Sequence, residues 1–222
     1  MNMQLISVNV GQAQSIAAAK GSGKTGIYKL PASAPVQITK TGLAGDAICD
    51  IENHGGFDQA VYIYGAPDYA WWSEALGREL LPGTFGENLT ISGLESAAFW
   101  IGDRLQVGPV TLEVTSPRIP CVTLAARMGD PAFVKRFRAA ERPGLYCRVI
   151  QAGWVRSSDP VIVERYAGET LGIIEMFRDF YQSEPDEATI RRQLAAPIAV
   201  RGRVELEGQL QKVLAKKQVD SR

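Results

Sequence analysis

The sequence is poor in soft metal ligands. Its 222 residues include three cysteines and one histidine, His54. Cys49, Cys121 and Cys147 form an odd, widely spaced set without a CxxC, which excludes a zinc site of the usual spacing and argues against a disulfide framework. Reduced thiols of this kind fit a cytoplasmic protein. Net charge is missing too, since 24 basic side chains offset 24 acidic ones. Nothing in that balance draws the chain to nucleic acid or to a membrane surface. No apolar run reaches the ~20 residues of a membrane span. Met1–Val10 lacks a basic region before its apolar residues and reads as a first strand rather than a signal peptide. The residues also show no iron–sulfur ligand set, haem motif or dinucleotide fingerprint. Gly21-Ser22-Gly23-Lys24-Thr25 invites a phosphate-loop reading, but the first glycine of that motif falls on Ala18 and no helix-forming run follows. The segment is better read as a basic loop, whose Lys24 and Lys29 either meet a phosphate as point charges or stay in solvent.

What is present is a dense series of short strands. Leu5–Val10, Val36–Lys40, Ala60–Tyr64, Asn88–Ile91, Leu145–Gln151 and Val161–Val163 are separated by Gly, Pro and Asp clusters. Leu105–Thr115 reads as a hairpin around Gly108-Pro109. The class is mainly β, a barrel or sandwich, across residues 1–165. Helices interrupt it at Pro67–Leu76 and Ala132–Ala140. Residues 166–222 change character, with helical spacing over Glu169–Tyr181, Glu187–Ala195 and Val204–Leu214 and then a polar, frayed tail. A three-helix unit this small has a marginal core and is expected to dock on the barrel.

The residue with the most chemical content is Cys121. Ser116-Pro117-Arg118-Ile119-Pro120 ends a strand stiffly, and a helix-like run, Val122–Met128, follows the sulfur. A cysteine at a helix start with an arginine three residues before it should be rich in thiolate, hence a nucleophile or a metal ligand. His54, followed by Gly55-Gly56, either lines a pocket or caps a loop. Glu87 and Asn88 stand at the mouth of a strand, in a pocket or a tight turn. Cys147 lies mid-strand as a small hydrophobe, and Cys49 sits between acidic residues that should raise its pKa.

Six segments in order resemble the MOSC domain, in its YiiM-like, stand-alone bacterial branch with a three-helix carboxy-terminal domain: Lys24–Lys29, Gly42–Asp46, Asn53–Tyr62, Pro82–Leu89, Ile101–Asp103 and Pro117–Cys121. The resemblance implies a MOSC-type β-barrel and the molybdenum cofactor, a molybdopterin, with Cys121 as the protein's thiolate ligand to the metal. It assigns cofactor contacts to Lys24, Lys29, His54, Gly55, Gly56, Asn88 and Arg118, and a proton-donor role to Asp58, Glu87 or His54. It also implies reduction of N-hydroxylated purine bases and hydroxylamines to amines, detoxifying base analogues, with electrons from a separate reductase. Two other classes stay open, a cofactor or sulfur carrier and a metal-free Cys121–His54 thiol enzyme. The helical tail could form a homodimer, dock the electron donor, act as a lid or cover a barrel edge.

Overall fold

The computed structural model describes residues 3–16 and 23–220, without the side chains of Glu52, Asn53, Val219 and Asp220. Met1 and Asn2 ahead of the first strand, Gly21 and Ser22 of the basic loop, and Ser221 and Arg222 of the tail lie outside the described residues, as does the Asn53 side chain.

Seven strands close into a barrel: β1 (Met3–Gly11), β2 (Val61–Gly65), β3 (Leu89–Ile91), β4 (Arg104–Val107), β5 (Val110–Ser116), β6 (Leu145–Gln151) and β7 (Pro160–Glu164). Around the ring the order is β1-β3-β2-β6-β5-β4-β7, and β7 returns to β1 through Met3 opposite Val161. An odd ring cannot alternate strand direction everywhere, so at least one neighbouring pair must be parallel. That pair is β2 and β3, with Ile63 opposite Leu89. A parallel pair needs a crossover, and the crossover carries helix α1 (Ala66–Leu76), with proline in its first turn and Gly77 at φ 64° at its end. The β4–β5 hairpin turns on Gly108 at φ 53°, the sign that a glycine at the first position of a two-residue loop supplies.

Alternation decides what each strand face does. In β2, Val61 and Ile63 enter the aliphatic barrel core, whereas Tyr62 and Tyr64 join an aromatic cluster on the outer face. In β6, Leu145, Cys147 and Val149 point in and Tyr146 points out. The aromatic cluster is roofed by α1 through Tyr69 and Trp72, and by α3 (Phe133–Ala140) through Phe133 and Phe137. α2 spans Val122–Met128.

After β7 come α4 (Ile173–Asp179), α5 (Glu187–Ala195) and α6 (Val200–Asp220). α4 starts later than the apolar spacing predicts, because Leu171 and Ile173 are held in backbone hydrogen bonds with Ile101 and Phe99 of the barrel. α6 runs past both ends of its expected range and through the tail that reads as frayed. Lys217 there pairs with Glu187 of α5 at 2.8 Å, which ties the polar end down. Leu171, Ile173, Ala196 and Ile198 bury into the same apolar cluster as the barrel. Among the described residues, no helix is long and apolar enough to cross a membrane.

Candidate functional site

The site lies on the outer face of the barrel, where β2 and β6 present opposed tyrosines. Tyr62 and Tyr146 are register partners, and their ring centroids are 4.9 Å apart. The chain leaving β5 crosses this face and brings Arg118 over the Tyr62 ring, 4.9 Å from its centroid. Arg118 is 4% exposed and donates through Nη1 to the Phe85 carbonyl, while its Nε is buried without a hydrogen-bond partner. Burial works against its charge, but Tyr146, Tyr62 and Cys121 outweigh that and hold its pKa above the ordinary value.

Three residues on, Cys121 occupies the position before α2 in extended backbone, φ −126° and ψ 170°. Burial alone would push its thiol up. A hydrogen bond with His54, the Arg118 charge and the Leu124 amide outweigh burial and bring the pKa down to about 6. His54 ends a single helical turn, Ile51–His54, and its Nδ1 is 3.4 Å from the Tyr146 hydroxyl. Cys121 and His54 thus share one wall of an open cleft of about 710 Å³.

The opposite wall is charged. Lys29 forms an ion pair with Asp46, whose carboxylate also accepts from the Gly11 amide at 2.8 Å and from Asn88 Nδ2 at 2.9 Å. Asn88 Oδ1 accepts from the Tyr62 amide at 3.1 Å, which joins this network to β2. Burial lowers the Lys29 pKa, and Asp46 counteracts it. From its sequence Lys29 either meets a phosphate as a point charge or stays in solvent; in the fold it is buried and its charge is met by Asp46. Lys24 is exposed at the rim. The walls approach closely because Gly26 has no side chain: a Cβ there would come within 1.8 Å of the Ala47 carbonyl oxygen.

Of the residues singled out from sequence, the fold gathers Lys24, Lys29, His54, Asn88, Arg118 and Cys121 around this cleft. It does not place four others there. Gly55 and Gly56 turn the chain towards Phe57–Gln59 and border a separate hollow. Asp58 pairs with Arg148 at 3.1 Å and accepts from the Val200 amide at 2.7 Å, bracing the start of α6. Glu87 is wholly buried, its Oε1 accepting from Tyr69, Gly83 and Thr90 at 2.6–2.7 Å while Oε2 has no partner. Desolvation raises its pKa. Cys49, discounted from its acidic neighbours, does line the cleft, as do Tyr62 and Tyr146. Local composition carries no sign of those three, since only strand pairing and loop closure bring them in. Cys147 is buried in the barrel, and burial pushes its thiol pKa well up.

Among the described residues, no group of three His, Cys, Asp or Glu side chains could hold a metal ion. A metal here would have to arrive with ligands of its own. A cofactor with its own sulfurs and an anionic tail fits the donor set: one activated thiolate, the unpartnered Nε of Arg118 and the basic rim.

Comparison with known proteins points to one family. The MOSC domain matches residues 50–162. An uncharacterised Bacillus subtilis protein, YflK, is 37% identical over 151 residues, 68% of either chain. A Gibberella moniliformis protein named reductase is 32% identical over 166 residues, 72% of this chain but 29% of its own length. The crystal structure of YiiM from Geobacillus stearothermophilus shares 27% identity at a TM-score of 0.78, over 94% of this chain and 99% of that one. MOSC domains are associated with binding of the molybdenum cofactor. Sequence and barrel agree: this chain belongs to the MOSC domain family and, within it, to the YiiM-like proteins.

Proposed function

We propose that the chain is a molybdenum-cofactor-dependent reductase of N-hydroxylated compounds, taking N-hydroxylated bases and hydroxylamines to amines. The observation that carries this reading is Cys121, a thiol with a pKa of about 6 in a cleft bordered by Arg118. Cys121 would hold the metal, and Arg118, with Lys24 at the rim, would meet the anionic part of the pterin. When bound, the cofactor supplies two-electron oxygen-transfer chemistry.

The chain's own part is positioning and proton handling. Reduction breaks the N–O bond, forms an N–H bond and releases the oxygen as water, consuming two electrons and two protons. Of the three side chains considered as proton donor, His54 lines the cleft, while Asp58 and Glu87 are engaged elsewhere. His54 lines the cleft with Cys121, and its Nδ1 is 3.4 Å from the Tyr146 hydroxyl, so it can pass a proton to the departing oxygen. The electrons would come from a separate reductase, since these residues carry no redox motif of their own.

Protein from a cofactor-competent host is expected to hold stoichiometric molybdenum and pterin fluorescence, and to reduce N-hydroxyadenine when supplied with dithionite. Cys121→Ser should lose both metal and turnover, by about 100-fold or more for a direct ligand. Full metal and full turnover in that variant would sink the proposal. Metal without turnover in the native chain favours a cofactor carrier. The His54–Cys121 hydrogen bond also supports a second reading, a metal-free thiol enzyme. That reading requires turnover in protein stripped of molybdenum.

A further inference from the structure

The Cys121 wall has two sides. One faces the charged cleft. The other faces a second hollow of about 840 Å³, and Cys121, His54 and Tyr146 border both. The second hollow is different in kind. Ile119, Pro120 and Val122, the residues flanking the sulfur, give it an apolar side. Also lining it are Phe180, the residue that follows α4, and Arg201 in the first turn of α6. The helical extension therefore reaches the reactive thiol, which no feature of its sequence announces.

The arrangement is held in place from the barrel. Asp58 accepts the Val200 amide at 2.7 Å, and Arg148 donates to the Pro197 and Ile198 carbonyls at 2.9 Å. These bonds anchor the start of α6 beside Cys121. Phe180 is 60% exposed. A single exposed ring means little alone, but this one stands across a concave wall from an activated sulfur. Its neighbour Tyr181 meets it in a T-shaped contact, 5.2 Å between centroids, and the 60% exposure shows that ring surface stays open. Asp50 and Arg201 put one charge of each sign on the border, so the ring rather than net charge selects the occupant.

We propose that this hollow is the substrate side of Cys121 and that Phe180 is its specificity residue, a stacking platform that favours planar aromatic N-hydroxylamines over small aliphatic ones. The identity of the reacting group rests on the reductase reading. The place and the ring preference rest on the two-sided geometry at Cys121. The charged cleft takes the cofactor and the adjoining Phe180 hollow takes the substrate, so the two meet at the wall they share, Cys121, His54 and Tyr146.

Two measurements test this. In the cofactor-loaded full chain, the ratio of kcat/KM for N-hydroxyadenine to that for hydroxylamine should fall roughly threefold to tenfold in Phe180→Ala, the size of one aromatic contact. Phe180→Tyr should restore it, which a merely structural defect would not do. In full chain purified without cofactor, adenine should slow alkylation of Cys121 by iodoacetamide, and Phe180→Ala should remove that protection. If no N-hydroxylated compound is turned over yet adenine still protects through Phe180, the reductase reading falls and the aromatic site stands. If the native chain turns over but Phe180→Ala changes neither the ratio nor the protection, the Phe180 assignment is overturned.

Discussion

The barrel interior and the aromatic flank share strands but differ in chemistry. Val61, Ile63, Leu145 and Cys147 fill the interior beside Leu112 and Val114, and that core is aliphatic apart from Phe99 and holds no site residue. One residue over on β2 and β6, Tyr62 and Tyr146 begin a run of ring contacts that continues through Tyr64, Phe85 and Trp72. This second core supports the site directly: Tyr62 lies under Arg118, and the Phe85 carbonyl receives its Nη1. The contrast is sharpest in the cysteines. Cys147 is sealed in the interior and its thiol is pushed well up, whereas Cys121, at the edge of the flank, is brought down to about 6. Burial acts on both sulfurs in the same direction. A hydrogen-bonding imidazole and a nearby guanidinium reverse the outcome at Cys121.

If the two cores divide the work in this way, equal damage to each should be felt differently at the site. Phe85→Ala is expected to cost about 3–5 kcal/mol and Leu112→Ala about 2–5 kcal/mol, measured by denaturant unfolding. Only Phe85→Ala should also raise the pH midpoint of Cys121 alkylation above 6: the carbonyl that accepts from Arg118 survives, but the ring packing against Tyr64 and Tyr69 that fixes its position is lost. An equal midpoint shift in Leu112→Ala would erase the distinction.

A smaller effect separates the two thiols by pH. The Cys121 pKa is depressed in the fold, from an ordinary value of 9.0 to about 6. A depressed acid stabilises the fold fully above its unfolded pKa and loses that contribution as pH falls through the folded one. The native chain should therefore gain stability relative to Cys121→Ala between pH 6 and 9, with no gain below 6, as read from thermal unfolding across that range. Cys147→Ala should show no such slope, because a raised thiol stays neutral there.

The smallest effect concerns Glu87, where the aromatic flank meets β3. Its pKa is raised from 4.5 by desolvation, so ionisation costs the folded state and the native chain loses stability as pH climbs above 4.5. Glu87→Gln cannot ionise and should gain on the native chain as pH rises, while differing by under ~1 kcal/mol at low pH. A variant that unfolds in parallel with the native chain at every pH would remove Glu87 from this account.

Much of the barrel was legible because strand signals are local. Leu145–Gln151 is legible to the residue, and Gly108-Pro109 marks the hairpin turn without reference to its pairing. Gly42–Leu43 and Gly153–Val155 carry no strand signal of their own, being short segments whose partner Val36–Thr39 supplies their hydrogen bonds. At the site, Arg118 and Cys121 can be linked from sequence since they lie three positions apart. Cys49, discounted on its neighbours in the chain, has the cleft wall among its neighbours in space.

Short-range chemistry was thus written in the chain: the strand alternation, the prolines that stiffen the approach to Cys121, and the helix that follows it. The closing of seven strands, the charge of Lys29 being met by Asp46, the removal of Asp58 and Glu87 from the cleft, and the arrival of Phe180 beside a sulfur 59 positions earlier in the chain (180 less 121) are contacts between distant segments. Periodicity and propensity describe what a residue prefers within a few neighbours. Which remote groups share a desolvated pocket depends on how the packed surfaces meet, and that sets the charges and the walls around Cys121.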